Sequence, residues 1–290
     1  MRLLDFLFLK FENISISYLR DQCLNENILL DGQPVSCDEI IRTGQIINLK
    51  FSLEKRLIFK NPTPLKILFE DDYILAVNKP AGMVVHPGCG HYSDTLINLL
   101  MNHFNIEEFG LSSGERLNFG LIGRLDKDSS GLLLVSKIPI VQTKLQIDKT
   151  VIKKYLALIE GEIKEDKGRI SLPLIRDKEN RFRMIASQEG NPAETLFRVE
   201  KRYMGYSLLS VEIKTGRTHQ IRAHFASGGY PLAGDVLYGG SLSENLGIER
   251  LMLHSKSIKF THPKTQEIIK ISAPVPSDMA RVLSKLQKKT

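Results

Sequence analysis

Four stretches of the sequence concentrate glycines, charged side chains and rings more densely than a packed core requires: residues 78–87, 123–132, 153–157 and 215–224. The sharpest contains Arg124-Leu125-Asp126, followed by Ser129-Ser130-Gly131 and an apolar run. This order places a carboxylate on a loop directly before a buried strand, where loops commonly carry function on a rigid scaffold. A turn in which Asp126 or Asp128 caps backbone amides would give the same pattern, so the pattern alone leaves a structural role open.

The two carboxylates of this loop, Asp126 and Asp128, also suggest the catalytic pair of a glycoside-type hydrolase. Such a pair needs a defined separation of roughly 5–9 Å, depending on the stereochemistry. The chain has no tryptophan that could stack against a sugar, which weakens this hypothesis.

A group of possible metal ligands follows the first stretch. His86, Cys89 and His91 lie close together in the sequence, but a closed zinc site wants a fourth ligand. We therefore expect no metal.

The composition predicts a globular protein without a membrane segment. The chain has 290 residues, of which 42% are hydrophobic and 25% charged, values close to the globular average and compatible with two domains. Its apolar runs are far shorter than a membrane-spanning helix, and Asp5 interrupts the first of them, unlike the apolar region of a signal peptide. The three cysteines, Cys23, Cys37 and Cys89, form no CxxC pair. We expect a cytoplasmic protein.

The net charge of +7 is concentrated at the C-terminal end of the sequence. Residues 1–249 are balanced, whereas residues 250–290 carry 9 basic and 2 acidic side chains. A local basic bias suits a polyanion such as RNA. A solvated tail kept soluble by Lys285, Lys288 and Lys289 would give the same bias.

The periodicity of the remaining sequence favours an α+β fold with a mixed, mainly antiparallel sheet. Two strands joined by an acidic turn are expected between Ile67 and Val77, and helices near 140–147, 219–227 and 277–287. Further strands are expected at Gly131 to Ser136, Lys154 to Ile159, Leu196 to Glu200, Tyr206 to Ile213 and Ile258 to Phe260. Strands outnumber helices and do not alternate with them as in βαβ units, so a doubly wound sheet is disfavoured.

The first 52 residues form a separate pattern. Two short helices are followed by a strand at Ile28-Leu29-Leu30, an Asp31-Gly32 turn, a second strand, and a last strand after Gly44. This order resembles the S4 RNA-binding module, although acidic side chains outnumber basic ones in it. The prolines of Pro62-Thr63-Pro64 predict a linker over residues 53–64, followed by a catalytic domain over residues 65–290.

The four stretches, taken in order with two further pairs of motifs, resemble the RNA pseudouridine synthases that carry an Arg-Leu-Asp motif. The resemblance spans about residues 65–275 and rests on several motifs: Lys79-Pro80-Ala81-Gly82, Arg124-Leu125-Asp126, Lys154-Tyr155, Gly216-Arg217-Thr218-His219-Gln220-Ile221-Arg222, Gly234-Asp235 with Tyr238-Gly239, and Leu253-His254 with His262-Pro263. It implies isomerisation of uridine in structured RNA, most of all ribosomal RNA with tRNA as the other choice. An S4 module before the catalytic domain is also a familiar arrangement in this family.

The resemblance also implies roles for individual residues. Asp126 is the catalytic aspartate, and Arg222 is the arginine that holds it ionised through a two-pronged, charge-assisted contact. Tyr155 is the active-site tyrosine, which stacks on the flipped uracil or relays a proton. Arg124 fills the gap left by the extruded nucleotide. RNA contacts are further implied for the remaining polar residues of the 215–224 stretch: Arg217, His219 and Gln220. We expect no cofactor and a monomeric protein.

Two positions depart from the family pattern. Gly123 stands where many relatives have histidine before Arg-Leu-Asp, and Ser129 replaces a threonine. The glycine motivates an alternative, a catalytically silent RNA-binding protein that keeps the fold, although Asp126, Tyr155 and Arg222 are all present. For His219 and His224, which bracket Arg222, capping or packing is favoured over acid–base catalysis.

Overall fold

The computed structural model describes residues 1–11, 16–50, 56–88, 90–111, 120–148 and 150–287. The chain forms two compact units, one of residues 1–64 and 86–118, the other of residues 65–85 and 119–290. The domain boundaries expected from the sequence, at residues 52 and 64, stay a prediction. No helix in the described ranges is both long enough and apolar enough to cross a membrane.

The N-terminal part of the first unit follows the predicted order of elements. Helices α1 (Leu3–Lys10) and α2 (Ile16–Leu24) precede strands β1 (Ile28–Leu30), β2 (Gln33–Pro34) and β3 (Ile47–Leu49). The strands form an antiparallel sheet with β1 in the centre. Asp31 and Gly32 make the tight turn with φ values of 51° and 83°, which is the left-handed backbone that an Asp-Gly hairpin uses. Leu3, Leu7 and Leu19 are buried in the core that the helices share with β1.

The remaining described residues of the first unit include one helix and one strand pair. Strands β4 (Arg56–Phe59) and β7 (Glu108–Leu111) pair antiparallel, and helix α3 (Leu96–His103) contacts β4. Asn98 connects α3 to β4, because its buried amide donates to Phe59 O at 2.7 Å; it also donates to Tyr92 O at 2.9 Å.

The second unit is built on one large sheet, which contains nine strands within the described residues. The strands are β5 (Ile67–Glu70), β6 (Ile74–Lys79), β8 (Ser130–Ser136), β9 (Ile152–Glu160), β10 (Lys167–Ser171), β13 (Glu194–Tyr203), β14 (Tyr206–Ile213), β15 (Leu253–Thr261) and β16 (Ile268–Ser272). The order across the sheet is β10-β13-β14-β9-β15-β8-β6-β5, with β16 also paired to β15. Only the β15–β8 pair is parallel. The predicted α+β class with a mixed, mainly antiparallel sheet is therefore confirmed.

Three α-helices, a short 3-10 turn and a small hairpin accompany the sheet among the described residues of this unit. The helices α4 (Pro139–Ile147), α5 (Gln220–Ser227) and α6 (Ser277–Lys285) lie where the sequence predicts them. Val141 and Leu145 of α4 pack on apolar residues of the sheet, and Met279 and Val282 of α6 pack in a second buried cluster. Strands β11 (Leu174–Arg176) and β12 (Met184–Ala186) form a separate hairpin that the sequence analysis did not predict.

Candidate active site

Asp126 lies on the loop that leads into β8, as expected. Every residue of β8 is buried, so this strand is a rigid support for the loop. At its start, Gly131 has a φ of 109°, and a Cβ there would lie 2.3 Å from Ser255 O of β15. Only glycine permits this approach. The side chain of Asp126 itself is 28% exposed, which leaves part of the carboxylate open to a substrate.

A buried lysine ties this loop to the strand beside it. Lys79, at the end of β6, is 1% exposed, and its ammonium donates to three backbone carbonyls: Pro80 O at 2.9 Å, Met83 O at 2.8 Å and Lys127 O at 3.0 Å. Burial lowers the pKa of Lys79 to about 8, against the opposing effect of the Asp126 and Asp128 charges. The sequence analysis quoted Lys79 as part of a motif and gave it no role, yet it fixes the loop that carries Asp126.

Arg222 reaches Asp126 from α5, in a geometry that differs from the expected one. Its Nη1 donates to Asp126 Oδ2 at 3.2 Å. The two-pronged contact is made with Asp235 instead, since Nε and Nη2 each donate to that carboxylate at 2.7 Å. The guanidinium therefore bridges two carboxylates, with two hydrogen bonds to Asp235 and a single one, from Nη1, to Asp126.

Asp235 is a site residue that the sequence analysis missed. It is 2% exposed and lies just before the short 3-10 turn Val236–Tyr238. Burial alone would lower the pKa of Arg222, but the hydrogen bonds and charges of Asp235 and Asp126 outweigh it and raise that pKa. Arg222 thus stays cationic beside Asp126. The Gly234-Asp235 motif was the signal in the sequence, but nothing local pointed to Arg222 as its partner.

His219 and Tyr238 complete the wall around Arg222. The Tyr238 ring lies 4.9 Å from the guanidinium carbon of Arg222, a cation–π distance. Its hydroxyl accepts from Met184 N at 2.7 Å and lies 3.1 Å from His219 Nδ1. The other ring nitrogen of His219, Nε2, faces Asp126 Oδ1 at 3.9 Å.

The backbone and charge of His219 are both unusual. Its φ of 53° places it in the left-handed region at the N-terminal cap of α5, a conformation that is uncommon outside glycine. Burial lowers the pKa of His219, and the Asp126 charge opposes that shift. The imidazole is therefore neutral at physiological pH.

Tyr155 lies in the middle of the sheet, on β9 between β14 and β15. It pairs in register with Val211 on one side and Ser255 on the other, and it is 7% exposed. Burial, followed by the negative charge of Asp126, raises its pKa well above the usual range of a phenol. The phenol is therefore neutral, and its ring is held rigidly near the Asp126 carboxylate.

The polar residues before α5 connect the two loops of the site. Arg124 is exposed, and its Nη2 donates to Thr218 Oγ1 at 3.0 Å. Arg217 is also exposed and donates from Nε to Pro192 O at 3.0 Å.

Gln220 differs from these arginines, because it is 3% exposed. Its Oε1 accepts from Thr215 Oγ1 at 2.7 Å and from Arg217 N at 3.0 Å, while its Nε2 donates to Glu194 O and to Thr195 Oγ1. Direct RNA contact by Gln220, as predicted from the sequence, would break these bonds. The geometry instead supports a role in holding the loop.

The space beside Gly123 is filled by a lysine. Gly123 has a φ of 94°, and a Cβ there would lie 2.7 Å from Lys153 Nζ, which donates to Ile122 O at 3.1 Å. Both residues line a cavity of about 550 Å³ that also reaches Thr215 and Gly216. A histidine at position 123 would therefore displace the lysine. The cavity lies next to the backbone immediately before Arg124 and Arg217.

The histidines outside the site have structural partners. His224 is buried and lies 2.9 Å from both Thr195 Oγ1 and Leu172 O, which agrees with the expected packing role. His91 contacts Asp94 at 2.8 Å, and Cys89 lies outside the described residues. Among the residues that the structure describes, no group of three or more His, Cys, Asp or Glu side chains could hold a metal ion.

The chemistry that this arrangement supports needs one carboxylate and no second acid. Asp126 is partly exposed, is oriented by a permanent cation, and faces a neutral imidazole and a neutral phenol ring. Such a carboxylate can attack or stabilise an electrophilic carbon, or remove a proton beside it. The flat ring of Tyr155 can contact a planar group bound next to it.

Comparison with known proteins agrees with this geometry. The RNA pseudouridylate synthase family model matches residues 73–227. The chain is 37% identical to an uncharacterized RNA pseudouridine synthase of Bacillus subtilis, covering 90% of this chain and 86% of that protein. It is 35% identical to ribosomal large subunit pseudouridine synthase D of Xanthomonas campestris, covering 96% and 86%. The solved human RNA pseudouridylate synthase domain containing 1 superposes with a TM-score of 0.59 at 25% identity, covering 79% and 91%.

Proposed function

Because the chain belongs to the RNA pseudouridine synthase family, we propose that it isomerises uridines of large-subunit ribosomal RNA with Asp126 acting at C1′ of the target nucleotide. The observation that carries this assignment is the bridge from Asp235 through Arg222 to Asp126, placed beside the buried ring of Tyr155. Ribosomal RNA is favoured because relatives that align over nearly the whole chain are named for the large ribosomal subunit.

The reaction balances without an external reactant. The N1–C1′ bond breaks, the base turns, and a C5–C1′ bond forms, while C5 loses a proton and N1 gains one. Nothing is oxidised or reduced, so the chemistry calls for no cofactor. The role of Asp126 is one of three: nucleophile at C1′, stabiliser of an oxocarbenium-like ribose, or base at C2′ on a glycal path.

Each neighbour of Asp126 has a defined task in this proposal. Arg222 keeps the carboxylate ionised and oriented, because a close cation favours the charged form. Tyr155 stacks on the flipped uracil, since a phenol whose pKa is raised by burial is poorly suited to pass a proton as a phenolate near neutral pH. Arg124, exposed at the mouth of the site, fills the space left by the extruded base and offsets unstacking, about a few kcal/mol.

We also propose that residues 1–52 are an S4-like RNA-binding module. Support comes from their order of two helices and an antiparallel sheet with a tight Asp31-Gly32 turn. A monomer that acts on ribosomal RNA in the cytoplasm is the setting that this proposal implies.

The test is to map pseudouridines in large-subunit ribosomal RNA by carbodiimide treatment and primer extension. RNA from cells with and without the protein is compared, and purified protein is then added to an unmodified transcript. We expect at least one stop that depends on the protein and is absent with Asp126→Asn. If the wild-type protein binds the transcript but forms no pseudouridine, the alternative of a silent RNA-binding protein is correct.

A further inference from the structure

The β11–β12 hairpin, residues 174–186, is anchored directly to the wall of the active site. Met184 N donates to the Tyr238 hydroxyl at 2.7 Å, and the Arg183 guanidinium carbon lies 5.9 Å from the Tyr238 ring. The same ring also contacts Arg222, whose guanidinium carbon lies 4.9 Å from it. Strand β12 therefore begins at a residue that is separated from Arg222, the arginine that binds Asp126, by the Tyr238 side chain alone.

The tip of this hairpin is held in shape by its own hydrogen bonds. Asp177 Oδ1 accepts from Glu179 N at 3.0 Å, and Asn180 Oδ1 accepts from Phe182 N at 3.1 Å. Asn180 O accepts from Arg183 N at 2.9 Å, and the Arg176 guanidinium donates to Arg181 O. A tip that is ordered before binding loses little conformational entropy when a ligand docks on it.

This ordered tip points an aromatic ring into solvent. Phe182 is 79% exposed, the highest value among large apolar side chains in the described part of the chain. None of the hydrogen bonds that shape the tip uses its ring. Four basic side chains and two acidic ones surround it in the sequence: Arg176, Lys178, Arg181 and Arg183, with Asp177 and Glu179. The tip thus combines a flat apolar ring with a net positive charge.

We propose that Phe182 is a stacking platform for an unpaired base of the RNA substrate, next to the nucleotide that enters the active site. This proposal rests on the proposed function, because it takes the same RNA as the ligand. Unpaired bases in RNA are commonly bound by stacking on aromatic rings, and arginines beside such a ring contact the phosphates.

The position of the ring limits which base it can reach. Phe182 is two residues from Met184, a span of at most about 7 Å of extended chain. Since Met184 N is hydrogen-bonded to Tyr238 in the wall of the active site, the base on Phe182 would belong to the part of the folded RNA that surrounds the target uridine. Phe182 would then contribute to the choice of site, whereas Asp126 and its partners carry out the chemistry.

The experiment compares four variants for binding to an unmodified, protein-free transcript of large-subunit ribosomal RNA. Phe182→Ala removes the ring, Phe182→Tyr keeps it, and Phe182→Leu keeps an apolar side chain without a flat face. Met204→Ala is the matched control, since Met204 is 62% exposed in the turn between β13 and β14. Equilibrium dissociation constants are measured by filter binding over a range of salt concentrations, with thermal melting as a check on folding.

We expect Phe182→Ala to weaken binding about 5-fold to 150-fold, the range for loss of one stacked base. Phe182→Tyr should bind like the wild type, Phe182→Leu should bind like Phe182→Ala, and Met204→Ala should show no change. The slope of log affinity against log salt should be the same for all variants, because no charge is altered.

Three results would overturn the proposal: wild-type affinity in Phe182→Ala, full rescue by Phe182→Leu, or no binding of the transcript by the wild type. The first would point to a protein partner for the exposed ring. The binding comparison does not depend on turnover. If the wild type binds but forms no pseudouridine, the proposed function fails while the affinities still decide the role of Phe182.

Discussion

Asp235→Asn isolates the role of the buried carboxylate behind Arg222. Asp235 accepts two hydrogen bonds at 2.7 Å from Nε and Nη2 of Arg222 and is 2% exposed. Asparagine has nearly the same size but only one oxygen, so its NH₂ group would face an N–H donor of the guanidinium. The guanidinium must then shift, and the 3.2 Å bond from Nη1 to Asp126 shifts with it.

The size of the effect follows from these contacts. Removing one partner of a buried ion pair typically costs about 3–5 kcal/mol. Arg222 retains Asp126 as a counter-charge, so we expect a loss of about 2–3 kcal/mol in the free energy of unfolding. A displacement of about 1 Å in a catalytic group can cost about 100-fold in rate, and we expect a decrease of that order in kcat.

The assay is single-turnover pseudouridine formation on the transcript, together with RNA affinity and urea unfolding. RNA affinity should stay within about threefold, because no group that contacts phosphate is changed. Asp166→Asn is the control, since it removes a carboxylate that pairs with Arg202 at 2.8 Å on the surface. A stable Asp235→Asn protein with the wild-type kcat would refute the claim that Asp235 positions Arg222.

Four further predictions test other parts of the structure. Asp126→Asn should abolish isomerisation yet keep RNA affinity within about threefold, and measurable turnover would contradict the assignment of Asp126. Arg222→Lys should lower kcat about 100-fold, because one ammonium cannot span two carboxylates; a rate equal to wild type would show that bridging is unnecessary. Burial lowers the pKa of His254 to about 4. As the pH falls, the unfolded state therefore binds a proton on this histidine at a higher pH than the folded state does. The free energy of unfolding should fall by up to about 3 kcal/mol as the pH drops from about 6.5 to 4, and urea titrations should show a flatter profile for His254→Asn. Lys259 and Lys270 are exposed and directly opposite each other on β15 and β16. Replacing both with Gln should reduce the slope of log RNA affinity against log salt concentration by up to about 1.8. An unchanged slope would mean that this basic segment is only solvated.

The prediction about the basic C-terminal segment is refined by its hydrogen bonds. Lys256 donates to Ala273 O at 2.9 Å and Lys285 to Asn245 O at 3.1 Å, so both ammonium groups already bind the protein. Lys288 and Lys289, which the sequence analysis also considered, lie outside the described residues. Lys259 and Lys270 are therefore the better pair for testing whether this segment binds RNA.

Local patterns in the sequence were sufficient to predict much of the fold and the position of Asp126 on a loop before a buried strand. The apolar run from Gly131 to Ser136 is a buried strand, and the helical patterns near residues 140–147, 219–227 and 277–287 are helices. These predictions succeed because hydrophobic periodicity reflects contacts that each element makes along its own length. Strands β11 and β12 were missed, since strands of 3 residues are too short to show a period and, unlike β1, they have no Asp-Gly turn beside them.

The partners of the site residues depended on contacts between distant parts of the chain. The sequence indicated that Arg222 pairs with Asp126, but only the tertiary structure showed that its bidentate edge belongs to Asp235. Likewise, Lys79 holds the carbonyl of Lys127, 48 positions away, and Lys153 fills the space beside Gly123. A hydrogen bond between distant residues depends on the angle at which two elements meet and on how deeply their side chains are buried there. The spacing of residues within one element determines neither quantity.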